Sequence, residues 1–157
     1  MNEKVKIPTY RVKLVRDRST LTCREPVQAA DVLRRLSLDS ARETMHVLYV
    51  DAQSNIVGAE MVSMGGVSAS VVTAREVLRG AIVAGAYGIV LGHNHPSESC
   101  SPSQADINMT HAIERACEAV GVPLFDHIIT TEHYGHFSML EHGLLLNGDS
   151  ADKHEDS

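Results

Sequence analysis

The stretch His93-Asn-His-Pro-Ser-Glu-Ser-Cys-Ser-Pro-Ser-Gln-Ala-Asp106 decides how the rest of the chain is read. Just before it, Tyr87-Gly-Ile-Val-Leu-Gly92 is a short apolar run of buried-strand type. Residues two apart on a strand point to the same face. If the extended conformation continues through Asn94, the imidazoles of His93 and His95 leave on one side. Pro96 then ends the strand, because proline donates nothing to a ladder. A small polar loop follows, Pro102 and Ser103 open a helix, and Asp106 falls in its first turn. Two imidazoles and one carboxylate with a fourth position open make the ligand set of a catalytic zinc site, which brings water to a pKa of about 7.

The same residues fit a second description. Ser103-Gln-Ala-Asp106 reads as a helix N-cap followed three residues later by an acidic residue, close to a capping box, whose usual partner is Glu or Gln. On that reading Asp106 caps, and His93 and His95 are polar residues at a strand end. Spacing alone leaves both readings open. Ser103 suits either, since its hydroxyl can cap or face the site.

The spacing His93-x-His95, seven residues, Ser103, two residues, Asp106 resembles the signature of the JAMM (MPN+) metalloproteases, and the wider chain is similar to their bacterial RadC-like branch. The segments that carry the likeness are Glu43-Thr-Met-His-Val-Leu-Tyr-Val-Asp51, Ala74-Arg-Glu-Val77, Val90-Leu-Gly-His-Asn-His-Pro-Ser97, Asp126-His-Ile-Ile129 and Glu141-His-Gly-Leu-Leu145. They run through residues 25–147. One departure is Glu98, where the family usually has glycine. RadC-like proteins often carry a helix-hairpin-helix region as well, for which this chain is too short.

The resemblance implies one Zn2+ per chain held by His93, His95 and Asp106, with Glu43 and Ser103 as the catalytic pair. Chemistry asks for such a pair. Water attacking an amide must lose a proton and the leaving amine must gain one, and a carboxylate in reach does both. A hydroxyl donor suits the oxyanion. By its own pattern Glu43 is only a carboxylate ahead of a strand; Glu60 and Glu76 are lesser candidates for the same task.

The elements around this site can be read outward. Pro26–Leu36 has helical spacing, with Pro26 suited to the first turn. Met45–Val50 and Ile56–Ser63 are strands joined by the turn Ala52-Gln-Ser-Asn55. Gly65-Gly66 marks another turn. Thr73 caps a helix that Gly85 closes, with Val77, Leu78, Ala81, Ile82 and Ala84 as its buried set. The longest helix runs from Ser103 to Val120, its stripe made by Ala105, Met109, Ala112, Ile113, Ala116, Cys117 and Val120; Gly121 and Pro123 stop it. Leu124–Thr130 and Gly135–Leu140 are strands, and Glu141–Leu146 reads as a short final helix. His127 lies inside the first of these strands at a family position, near the metal or as a hydrogen-bonded core histidine. His133-x-x-His136 has the spacing of an incidental surface metal site.

These elements give an α/β (α+β) domain, and the resemblance implies a curved, mostly antiparallel sheet with packed helices in the MPN/JAMM, cytidine-deaminase-like architecture. Residues 25–147 form that domain. Residues 148–157, with Asp149, Asp152, Glu155 and Asp156, read as an acidic disordered tail. Residues 1–24 hold seven Lys/Arg against Glu3 and Asp17, a net of +5, which leaves −11 for the rest of a chain whose net charge is −6. Tyr10-Arg-Val-Lys-Leu14 alternates, as an edge strand with one solvated face does.

Several classes are excluded. There is no HExxH for a zincin and no GxxxxGK[ST] phosphate cradle. The PCxxC half of a nucleobase-deaminase signature is missing. No apolar run approaches the roughly 20 residues of a membrane span. The opening MNEKVKIPTY lacks a signal-peptide core, which points to the cytoplasm. Cys23, Cys100 and Cys117 form no CxxC and read as reduced thiols, Cys100 an incidental loop residue near the metal. The expected function is a zinc-dependent hydrolase of amide bonds, peptide or isopeptide, acting on a peptide or protein substrate. The alternative is a non-catalytic binding module linked to DNA repair or to a protein partner. Nucleic acid is weakly supported, by the basic start alone, because an acidic body suits phosphate poorly. The sequence leaves the oligomeric state open.

Overall fold

Seven consecutive buried residues, Thr44–Val50, form the strand β1 that lies second in the sheet, and this is why they show no polar–apolar alternation. The computed structural model describes residues 21–37, 41–65, 72–97, 99–133 and 135–147. In chain order the elements are α1 (Pro26–Leu36), β1 (Thr44–Val50), β2 (Ile56–Met64), α2 (Ala74–Ala84), β3 (Gly88–Asn94), α3 (Gln104–Val120), β4 (Leu124–Thr130) and β5 (His136–Ser138). The sheet order is β2-β1-β3-β4-β5. Every pairing is antiparallel except β3–β4, which is parallel and is bridged by α3 as a βαβ crossover must be.

Strand parity sorts the side chains into two cores. Odd-numbered residues of the central strands (Met45, Val47, Tyr49, Ile89, Leu91, Ile129) pack under α2 and α3 with Val77, Ala81, Met109, Ile113 and Cys117. Even-numbered ones (Leu48, Val50, Val90, Ile128) pack under α1 with Ala29, Ala30 and Leu33. His93 is odd and therefore belongs to the α3 face. Gly92 is even, and a Cβ built on it would stand 2.3 Å from the Leu33 side chain, so Leu33 of α1 packs this closely on β3 only over a glycine.

The helix ends follow local chemistry. Thr73 and Glu76 close a capping box at the start of α2, and Gly85 takes the left-handed conformation at its end, φ +62°. Gly121 does the same for α3. Glu25 and Gln28 form the box ahead of α1, with Pro26 at its first position. A Tyr49–Glu60–Arg79 chain ties α2 to the sheet: the Tyr49 hydroxyl donates to Glu60 at 2.6 Å and Arg79 donates to the other oxygen at 2.9 Å.

Some expectations are corrected. Residues Glu141–Leu146 form turns, not a helix. Gly143 sits at φ +65°, and six residues are too few to nucleate a helix unaided. The backbone N–H groups of Leu146 and Asn147 instead donate to the buried Glu114 carboxylate at 2.8 and 2.9 Å. β5 is shorter than Gly135–Leu140. Ile82 and Val120 are exposed, 58% and 48%, because the one lies beside the apolar stripe of α2 and the other at the open end of α3. Ala105 and Ala112 are exposed too. The alternating segment Tyr10–Leu14, the acidic tail and Glu98 lie outside the described residues. Among the described residues no helix is long and apolar enough to cross a membrane.

Candidate metal centre

The strand β3 runs extended to its end, and the His95 N–H still donates to the Thr130 carbonyl at 2.8 Å. His93 and His95 therefore leave on one face, as i and i+2 must. Their Nε2 atoms lie 2.9 Å apart. The first turn of α3 brings Asp106 over them, with Oδ1 3.5 Å from His93 Nε2 and Oδ2 3.7 Å from His95 Nε2. One ligand atom from each residue lies within 4.8 Å of the others. His93 and Asp106 are buried and His95 is half-buried, so the centre opens to solvent on the His95 side.

Capping and ligation prove compatible. Asp106 Oδ2 accepts the Ser103 backbone N–H at 2.7 Å, and Ser103 Oγ accepts the Asp106 N–H at 3.1 Å, so the box is complete. A carboxylate has two oxygens. The cap uses one and aims the other at His93. Ser103 Oγ spends a lone pair on the cap and keeps its O–H to donate.

The electrostatics ask for a cation. Burial pushes the Asp106 pKa up, but the facing His93 and His95 rings and the Ser103 N–H outweigh it and hold the carboxyl well below the usual range. Asp106 raises the pKa of His95 against burial, helped by the Ser99 carbonyl and by the charge of Glu43. Two imidazole nitrogens and a carboxylate converge where a positive charge is worth most. Neutral imidazole and carboxylate are also the donors that zinc accepts, so the residues fit that metal.

Glu43 reaches the same end of the sheet. Continuing the β1–β3 register past Met45↔His93 puts Thr44 opposite Asn94 and Glu43 opposite His95. Asn94, the residue between the two histidines, fastens this end. Its Oδ1 accepts the Thr44 N–H at 2.8 Å and the Thr44 hydroxyl at 2.7 Å, while its Nδ2 donates to the Arg42 carbonyl at 3.0 Å. The Glu43 carbonyl accepts from Gly65 at 2.8 Å. Glu60 and Glu76 are occupied elsewhere, in the Tyr49–Arg79 chain and in the α2 cap.

Sequence reading missed Asn94, which served there only as the spacer in His-x-His. It also left His127 undecided. That ring is fully buried, with Nε2 2.7 Å from His93 Nδ1 and Nδ1 2.6 Å from the Thr110 hydroxyl. The signal lay in the parallel pairing of Leu91 with His127, invisible until the strands are placed. Cys100 and the His133/His136 pair are not in the ligand cluster found among the described residues.

A model of the RadC-like JAB domain matches residues 23–144. The chain belongs to the RadC-like JAB-domain family. This is the JAMM (MPN+) family that the His93–Asp106 spacing resembles, and the mixed five-stranded sheet with its three helices agrees with that fold. The RadC-like domain is 34% identical over 128 residues to a UPF0758 protein of Aquifex aeolicus, covering 82% of this chain and 54% of that one. It is 34% identical over 135 residues to a UPF0758 protein of Rubrobacter xylanophilus, covering 86% and 59%. A UPF0758 protein of Salinibacter ruber is 36% identical over 129 residues, 82% of this chain and 54% of its own length. The chain thus spans little more than half the length of these relatives. Family and cluster together place a group of residues that could hold a metal ion in a RadC-like JAB domain.

Proposed function

We propose that this RadC-like domain is a zinc-dependent hydrolase of peptide or isopeptide bonds in a peptide or protein substrate, working in the cytoplasm. The observation that carries the reading is the convergence of His93, His95 and Asp106 at the sheet end that Glu43 also reaches. Zinc held there supplies Lewis acidity, which makes water nucleophilic at neutral pH and polarises a carbonyl. His93, His95 and Asp106 hold it. Glu43 takes the proton from the attacking water and hands it to the leaving amine. The Ser103 hydroxyl donates to the oxygen that becomes anionic, while its lone pair keeps α3 capped. The β3 end and the first turn of α3 keep these groups in place, so little reorganisation accompanies the reaction.

The test is Glu43→Gln, assayed on a panel of fluorogenic peptide and isopeptide substrates that the wild type cleaves. The variant keeps its zinc and loses about 10²–10⁴-fold in turnover, the usual worth of a general base. Undiminished turnover removes Glu43 from the mechanism. The alternative of a nucleic-acid binding module rests on residues 1–24, of which only Leu21–Arg24 are described.

A further inference from the structure

The two histidines of the centre differ in how their second nitrogen is held. His95 Nδ1 lies 2.8 Å from the Ser99 carbonyl oxygen. A carbonyl only accepts, so Nδ1 carries a proton. His93 Nδ1 meets no carbonyl among the described residues. It faces the Nε2 of another imidazole, His127, at 2.7 Å, and that contact alone leaves the direction of donation open.

The direction is decided two links further on. The Thr110 hydroxyl donates to the backbone carbonyl of Asp106 at 2.7 Å. A hydroxyl has one proton, so toward His127 Nδ1, 2.6 Å away, Thr110 can only accept. His127 Nδ1 therefore donates. The ring is fully buried and its two nitrogens face only the Thr110 hydroxyl and the His93 ring, neither of them an anion, so it carries a single N–H. Its Nε2 must accept, His93 Nδ1 must donate, and His93 Nε2 is left as a lone pair facing His95 and Asp106. The chain of donors begins at one ligand, His93, and ends on the backbone of another, Asp106. The hydroxyl and the carboxylate sit one turn apart on the same helix.

We infer that Thr110 and His127 are positioning residues that hold His93 in the Nδ1–H tautomer, with its Nε2 lone pair turned to the metal. The inference rests on the metal-site reading above and extends it to two residues that touch no metal. Hydrogen-bond partners of ligating histidines typically set metal affinity by 10–100-fold, with a carboxylate, carbonyl or water as the usual acceptor. Here a neutral imidazole does the accepting, and it can do so only while Thr110 dictates its own tautomer.

The experiment compares wild type, Thr110→Val, Thr110→Ser and His127→Gln. Long-range ¹⁵N–¹H spectra of the metal-free proteins read the His93 tautomer. Chelator competition reads zinc affinity, and circular dichroism reads the fold. The expected results are a wild-type His93 protonated on Nδ1, a mixed population in Thr110→Val with affinity about 10–100-fold weaker, and recovery of both in Thr110→Ser. His127→Gln, whose amide oxygen can still accept, keeps His93 protonated on Nδ1. A wild-type His93 protonated on Nε2 overturns the inference without any variant. So does a folded Thr110→Val that keeps the wild-type tautomer and affinity, or a loss that serine does not restore. If Thr110→Val does not fold, the wild-type and His127→Gln spectra decide. A wild type that takes up no zinc refutes the metal reading instead, and the tautomer spectra still judge the lock.

Discussion

Placing a methyl group on Gly92 tests how tightly the metal strand is built. A Cβ there would lie 2.3 Å from both Leu33 Cδ atoms and 2.8 Å from Cγ. Ordinary carbon contacts begin near 3.5 Å, so the Leu33 side chain, or α1 or β3 with it, must move. Overpacking of this kind costs about 1–3 kcal/mol, set against the roughly 0.5–1 kcal/mol that alanine otherwise gains over glycine inside a strand. Leu33 is 2% exposed, and Leu33→Ala alone costs about 2–5 kcal/mol through the cavity it leaves. In the double variant the new methyl occupies part of that cavity. The two losses are therefore non-additive, and the double variant is more stable than their sum by at least about 1 kcal/mol. Urea unfolding of the four metal-free proteins measures this coupling. Zinc affinity follows the same pattern, since His93 is the next residue along: weaker in Gly92→Ala and partly recovered in the double. Strict additivity would refute the claim that α1 clamps β3 through this glycine.

Two further outcomes are expected. Ser103→Ala loses the cap of α3, costing about 1 kcal/mol of stability; it keeps its zinc and drops turnover by about 10²–10³-fold, and unchanged turnover would leave Ser103 a cap alone. His46 is buried, its Nδ1 has no hydrogen-bond partner among the described residues, and burial lowers its pKa. Below its unfolded pKa of about 6.5 the unfolded chain binds the proton that the folded chain refuses, so stability is full above that pH and falls as pH drops through and below it. His46→Gln flattens this acid-side slope by up to about 1.4 kcal/mol per pH unit, measured by urea unfolding between pH 7 and 5; an unaltered slope contradicts the assignment.

Much of the frame was legible because its punctuation is local. Pro26, the Thr73/Glu76/Gly85 set and Gly121 mark helix ends by backbone chemistry that needs no tertiary partner. The cluster was legible in part: the strand period puts His93 and His95 on one face, and the family resemblance added Asp106, which spacing alone left between cap and ligand. What stayed hidden depends on pairing across the sheet. β1 and β3 are buried on both faces, so their sequences do not say which side meets α1. The His93–His127 contact spans 34 residues, and Asn94 does its work opposite a strand fifty residues earlier. Asp106 looked like a choice between cap and ligand because a residue letter does not show that its two oxygens can serve separately. Glu141–Leu146 misled because its leucines suggest a helix, whereas Gly143 and the Glu114 carboxylate impose turns.

The central claim is that His93, His95 and Asp106 hold one metal ion. Its most direct test is elemental analysis of purified wild type and Asp106→Ala, first without added metal and then after zinc is offered. The account predicts close to one zinc per chain in the wild type and its loss in the variant. Equal metal in both would return Asp106 to helix capping alone, and no zinc in either would contradict the metal centre.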